Sequence, residues 1–208
     1  MDKLQSAIQY AQKGFAVLPV IGKHPLIKFA DHPALTTSEI NYYWSKYPDA
    51  NIALRTIDFF VVDIDTKKAH GKDGLASAKK LIQNKTLIST LEQQTASGGR
   101  QLFYLKPNER GLKQVIGLRP GIDIKANPNN YVVVPPSTTS KGQYRWIDSN
   151  TPMNEPTNEL IQLINSFSQH NQTSPKNAPA GHIAGKTWTG MVLDNLVTGA
   201  PEGRVMTF

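Results

Sequence analysis

The run Phe59-Phe60-Val61-Val62-Asp63-Ile64-Asp65 closes an apolar stretch with two aspartates one residue apart. In a strand, side chains alternate between faces, so Asp63 and Asp65 share one face while Ile64 points the other way into a core. Two carboxylates side by side repel each other unless a cation lies between them. An all-oxygen donor set suits Mg²⁺ or Mn²⁺, with substrate phosphates completing the shell. The plain alternative is a pair of solvated carboxylates at a strand end. Gly121-Ile122-Asp123-Ile124-Lys125 repeats the design, an acid between two core-facing residues. If its strand lies beside the first, three carboxylates meet on one surface, as two-metal phosphoryl or nucleotidyl transfer requires.

Thr95-Ala96-Ser97-Gly98-Gly99-Arg100-Gln101 leads into another strand-like run. Paired glycines let backbone N–H groups approach a phosphate, and Arg100 offers a forked donor. A simple glycine turn accounts for Gly98 and Gly99 equally well. Other chemistries lack their residues. A haloacid-dehalogenase-type phosphatase needs Thr or Val where Lys67 stands, and neither GxGxxG nor GxxxxGK[ST] occurs. His24, His32, His70, His170 and His182 form no ligand pair at helical or zinc-finger spacing, and no serine is framed as a nucleophile elbow. With no cysteine there is no Cys-containing zinc site, disulfide or Cys nucleophile. Asp-x-Asp with Mn²⁺ also serves nucleotide-sugar transferases, which therefore remain a competitor.

These residues need elements to hold them. Leu4, Ile8, Ala11 and Phe15 have helical spacing, stopped by Gly14, and Phe15 to Val20 reads as a buried strand followed by a loop at Lys23-His24-Pro25-Leu26. Thr36-Thr37-Ser38-Glu39 reads as a helix start, with Ile40, Tyr43 and Trp44 on one face up to Pro48. Ile52 to Leu54 and Phe59 to Val62 are expected as strands, and residues 73–92 as a helix burying Leu75, Ala78, Leu81 and Ile82. Strands are expected at 102–105, 122–124, 131–134 and 144–147, with a closing helix from Glu159 to Phe167. Mixed helices and strands followed by a run of strands predict an α+β fold rather than a doubly wound parallel sheet. The spacing predicts a catalytic domain over 1–168, a Gln/Asn/Ser/Pro/Gly-rich linker over 169–186, and the start of a truncated helical region over 187–208.

Charge selects among partners. The 208 residues carry 23 Lys+Arg against 16 Asp+Glu, a net charge of +7. Eight basic residues fall between Arg100 and Arg145 against Glu109 and Asp123, and six between Lys67 and Lys85 against Asp73. Basic stretches flanking acidic strands draw in nucleic acid and triphosphates, although Lys79 and Lys80 fit a solvated helix face. A hydrophobic content of 39% suffices for a core. Without an apolar run of membrane-spanning length or a signal-peptide core, the expectation is a cytoplasmic protein with no membrane partner.

In order and spacing, these motifs resemble the N-terminal domain of bifunctional primase/polymerase (prim-pol) replication proteins of plasmids, phages and mobile elements, a branch of the archaeo-eukaryotic primase superfamily. The resemblance runs from about residue 4 to 148. It includes the helix ending in Gly14-Phe15-Ala16-Val17-Leu18-Pro19, Trp44 with Tyr47-Pro48-Asp49-Ala50-Asn51-Ile52, Val62 to Asp65, Ser97 to Arg100, Gly121 to Ile124, and Tyr131 to Ser137. It implies an RRM-like catalytic sheet packed with an N-terminal α/β unit, and template-dependent nucleotidyl transfer on single-stranded DNA with a primer and NTP or dNTP. On the same ground Asp63, Asp65 and Asp123 are the catalytic residues and hold two Mg²⁺ or Mn²⁺ ions, with no zinc. Gly98, Gly99, Arg100 and Gln101 contact the triphosphate, and Lys125 neutralises charge beside Asp123. One position departs from the family pattern: Gln101 stands where the family has His, and Gln can donate a hydrogen bond but cannot be cationic. The alternative within the same fold is a single-stranded nucleic-acid-binding module with weakened catalysis. The tail Gly199 to Arg204 resembles the junction to a helicase region in longer replication proteins.

Overall fold

A computed structural model describes residues 2–107 and 112–173. In chain order the elements are α1 (Lys3–Gln12), β1 (Val17–Ile21), β2 (His24–Pro25), α2 (Thr37–Lys46), β3 (Asn51–Arg55), β4 (Phe59–Ile64), α3 (Lys67–His70), α4 (Gly74–Gln83), β5 (Leu91–Gln94), β6 (Arg100–Leu105), β7 (Val115–Arg119), β8 (Ile122–Lys125), β9 (Tyr131–Val134), β10 (Thr138–Thr139), β11 (Gly142–Gln143), β12 (Arg145–Trp146) and α5 (Asn158–Thr173). Two larger sheets form, in the orders β12-β5-β6-β4-β8-β7 and β2-β1-β3-β9. Neighbouring strands in both run antiparallel. The α+β expectation thus holds at the level of mixed elements on antiparallel sheets.

Strand β4 sits inside the six-stranded sheet, and its alternation divides the core. Phe60, Val62 and Ile64 pack with Ala78 and Leu81 of α4 and Leu160 and Ile164 of α5. Phe59 and Val61 face the other way, with Phe103, Ile52 and Leu54 of β3, and Val132 and Val134 of β9. Each such side chain, fully buried, contributes about 1.5–3 kcal/mol. β4 is therefore fixed from both faces, and the carboxylate at its end inherits that rigidity. The helix starts are as the sequence indicates. Thr36 caps α2 in a box with Glu39, whose Oε2 accepts from the Thr36 N–H at 2.8 Å.

Five local expectations are corrected. His24–Pro25 pairs with β1 as a short hairpin strand rather than lying in a loop, with Gly22 at φ +59° making the turn. The helix expected over 73–92 ends at Gln83, because Lys85 enters the left-handed region at φ +57°; Leu91–Gln94 is then strand β5. Of its four inward-reading residues only Ala78 and Leu81 are buried, while Leu75 and Ile82 are 45% and 56% exposed. Between 144 and 147 only Arg145–Trp146 is strand, and Gly142–Gln143 pairs separately with β10. β7 was not expected and forms a hairpin with β8 across Pro120-Gly121. α5 runs to Thr173, past Ser168; the rest of the segment read as linker and the 187–208 region lie outside the described residues.

Candidate active site

Asp63 sits on the β4 face that carries Phe59 and Val61, at the level where that apolar face gives way to polar residues. The register places Asp123 of β8 directly opposite it on one side and Gln101 of β6 on the other. Direct cross-strand neighbours share a face with Cβ atoms roughly 5 Å apart, so the row Gln101–Asp63–Asp123 is fixed by backbone pairing. Gln101 Nε2 donates to Asp63 Oδ1 at 2.9 Å, and Lys125 Nζ pairs with Asp63 Oδ2 at 3.1 Å. Lys125 reaches it diagonally, two residues from Asp123 on the same face of β8.

Asp123 is held by the backbone. Its Oδ1 accepts the Gly117 N–H at 2.7 Å. Gly117 lies in the irregular stretch between the Val115 and Arg119 pairings, at φ +70°, a conformation that favours glycine. Asp65 stands just beyond the end of β4. Its N–H donates to Gly121 O at 2.8 Å and its carbonyl accepts from Gly74 N at 3.0 Å. This clamp requires two glycines: a Cβ on Gly74 would lie 2.2 Å from Gly121 O, and one on Gly121 would lie 2.5 Å from Gly74 N. Gly121 and Gly74 thus tie the β7–β8 turn and the start of α4 to the backbone of Asp65.

Among the described residues no three His, Asp or Glu side chains stand together as a metal-ligating group. Asp63 is turned to Lys125 and Gln101, and Asp123 to Gly117. The donor chemistry nonetheless fits a hard divalent ion, since the row offers carboxylate oxygens. Lys125 already places a positive charge at Asp63 Oδ2.

The cleft in front of Asp63 has a volume of about 240 Å³ and is lined by Lys23, Gln101, Lys125, Tyr131 and Tyr144 among others. Burial, and secondly the nearby Asp63 charge, push the Tyr144 hydroxyl up to about 12. Burial likewise raises Tyr131, with Lys125 opposing. Both hydroxyls therefore stay neutral at physiological pH. Lys23, Tyr131 and Tyr144 come from the β1–β2 turn, β9 and the chain before β12, and none of them has a role in the site from sequence alone. The same is true of Gln93 of β5, which meets Gln101 from behind.

Arg100 is separated from this group. It pairs with Ile64 in the register and so faces the opposite side of the sheet from Gln101 and Asp63. There it forms an ion pair with Glu92 in a groove beside Leu75, Lys79 and Ile82. Gly98, at φ +87°, donates its N–H to Thr95 O at 2.9 Å inside the β5–β6 turn. A Cβ on Gly99 would come 2.6 Å from Ile64 O, so this glycine lets the turn lie against the end of β4. Both glycines have a structural reason to be present.

No helix among the described residues is long and apolar enough to cross a membrane. No curated protein matches the chain. The family model for the N-terminal domain of bifunctional DNA primase/polymerases, Prim-Pol, matches residues 7–160. Polymerases of this family generally use divalent metals, and their substrates are DNA and nucleotides. The match removes the nucleotide-sugar transferase alternative. It begins within α1 and ends within α5, taking in both larger sheets and every residue of the cleft. The chain belongs to the Prim-Pol family and is a DNA primase/polymerase domain.

Proposed function

We propose that the chain is the template-dependent nucleotidyltransferase of a mobile-element replication protein, copying single-stranded DNA from a primer with NTP or dNTP in the cleft before Asp63. The observation that carries this reading is the register setting Asp123 directly opposite Asp63 on adjacent strands. Asp63, Asp65 and Asp123 are the residues to hold Mg²⁺ or Mn²⁺. Two such ions, when bound, supply activation of the 3′-hydroxyl and neutralisation of charge on the leaving pyrophosphate. The chain's own groups do the rest. Lys125 and Lys23 present cations to the triphosphate, and Gln101 holds Asp63 with a neutral donor. Tyr131 and Tyr144 wall the cleft with neutral hydroxyls. Gly98 and Gly99 approach the triphosphate from the β5–β6 turn, while Arg100, neutralised by Glu92 on the opposite face, takes no direct part. The order β5-β6-β4-β8, with α4 crossing from β4 to β5, supports an RRM-like catalytic sheet. A cytoplasmic setting and a helicase region in the full-length protein complete the reading.

The test is extension of a labelled primer on single-stranded template with Mg²⁺ or Mn²⁺, comparing the wild type with Asp63→Ala and Asp123→Ala. Metal-dependent extension lost in both variants is the expected result. Extension that persists in Asp63→Ala would place the chemistry elsewhere. DNA binding without any extension would instead favour the binding module with weakened catalysis.

A further inference from the structure

A glutamine amide can present either its oxygen or its nitrogen to Asp63, so Gln101 serves as a donor only where something fixes which way it points. Gln93 lies directly opposite Gln101 in the β5–β6 register, with none of its surface exposed. Its Nε2 donates to the backbone carbonyl of Val133 at 2.8 Å and to Gln101 Oε1 at 2.6 Å. Gln101 Nε2 in turn donates to Asp63 Oδ1. The anchor of this chain is Val133 O, on edge strand β9 of the other sheet. A backbone carbonyl only accepts, so it must receive the Gln93 nitrogen. The second N–H of that nitrogen requires an acceptor, and Gln101 Oε1 supplies it. With its oxygen so committed, Gln101 turns its nitrogen to Asp63. Reversing Gln93 would set two oxygens against each other at Val133.

A second observation agrees. Gln93 Oε1 is the buried side-chain atom that, among the described residues, has no hydrogen-bond partner. An amide placed for its own burial would satisfy that oxygen. Here the oxygen goes unpaired while the nitrogen serves two acceptors.

We propose that Gln93 is a positioning residue for the carboxylate site, carrying hydrogen-bond polarity from the Val133 carbonyl through Gln101 so that Asp63 Oδ1 always meets a donor and Oδ2 is left to face a cation. The proposal rests on the reading of Asp63 as a metal ligand. Mn²⁺ binding to the full chain, titrated by electron paramagnetic resonance, tests it in the wild type, Gln93→Met, Gln101→Met and the double variant. Partners of metal-ligating groups cost on the order of tenfold or more in metal affinity when removed, so each single variant is expected to bind about tenfold more weakly. The double variant is expected to bind no more weakly than Gln101→Met, because Gln93 acts only through Gln101. Losses that multiply, or wild-type affinity in Gln93→Met, would overturn the relay. If Gln93→Met fails to fold, side-chain amide NMR of the unaltered residues decides. The Gln101 amide protons are expected to exchange slowly and to shift on Asp63→Asn; free-amide exchange would overturn the proposal. Mn²⁺ binding that survives Asp63→Asn overturns the metal reading, a failure distinct from that of the relay because the amide spectrum is read without metal.

Discussion

Replacing Gly74 by alanine sets two effects of opposite sign against each other. Gly74 is the first residue of α4, behind the Asp73 cap. Helix propensity and unfolded-state entropy alone would make alanine more stable there by up to about 1 kcal/mol. The tertiary structure opposes this. The added Cβ would lie 2.2 Å from Gly121 O, 2.5 Å from Asp65 O and 2.9 Å from Asp65 N, all backbone atoms with no flexible side chain to yield. Overpacking of this kind costs about 1–3 kcal/mol. Separating the elements also weakens the Gly74 N–H to Asp65 O and Asp65 N–H to Gly121 O hydrogen bonds, worth about 1 kcal/mol each. The net expectation for Gly74→Ala is a loss of about 2–4 kcal/mol, or roughly 1–2 M in urea midpoint. Urea unfolding followed by tryptophan fluorescence measures it. Gly98→Ala is the contrast: its φ is positive, unlike that of Gly74, but nothing lies within 4 Å of its Cβ, so its cost is limited to about 1–2 kcal/mol of backbone strain. Primer extension by folded Gly74→Ala should also fall, since the clamp sets the backbone of Asp65. A Gly74→Ala protein as stable as the wild type, or more so, would refute the reasoning.

Two further outcomes follow from the protonation of particular groups. Glu39 is held below the ordinary carboxylate range by the Thr36 N–H first and the Thr36 hydroxyl second. Its contribution is present above the ordinary glutamate value and disappears as pH falls through the lowered folded-state value. Thr36→Ala should lose about 1 kcal/mol of stability at neutral pH through the missing cap, and the Glu39 component of its acid-unfolding curve should shrink but persist, because the backbone N–H at position 36 remains; an unchanged acid limb contradicts the capping-box account. Tyr10, Tyr104 and Tyr144 are each raised to about 12, chiefly by burial. Their contributions are complete below the unfolded value of about 10 and are lost as pH rises through 12. Titration of tyrosinate absorbance should therefore show part of the seven tyrosines ionising only with unfolding, and a single normal titration of all seven would contradict it.

Legibility varied with how local the signal was. The capping box at Thr36 and Glu39, the alternation through Phe59 to Ile64, and the placement of Asp63 and Asp123 between apolar neighbours all depend on residues close in sequence, and the structure shows each of them as read. The helix over 73–92 ran too far because Leu87 and Leu91 continue an apolar pattern that a strand uses equally well. Leu87 is buried by a chain that has already turned at Lys85. β7 was missed because Gly117 and the register shift break its alternation, and that same irregularity brings the Gly117 N–H to Asp123. The position of Arg100 could have been read from the sequence. If Gln101 shares the face of Asp63, its neighbour in the strand must take the other face.

By itself the sequence determined which faces of which segments are apolar, which acids interrupt them, and the order of motifs that places the chain among Prim-Pol domains. These are properties of neighbouring residues and of their succession along the chain. Only the tertiary structure decided that β8 and β6 flank β4, that Asp123 and Gln101 stand level with Asp63, and that Val133 of the other sheet meets Gln93 behind them. A slip of one residue in either pairing would have turned Asp123 or Gln101 to the opposite face with no change in local pattern. Register is set by the burial of both faces of β4 against distant helices and strands, a constraint that no window of consecutive residues contains.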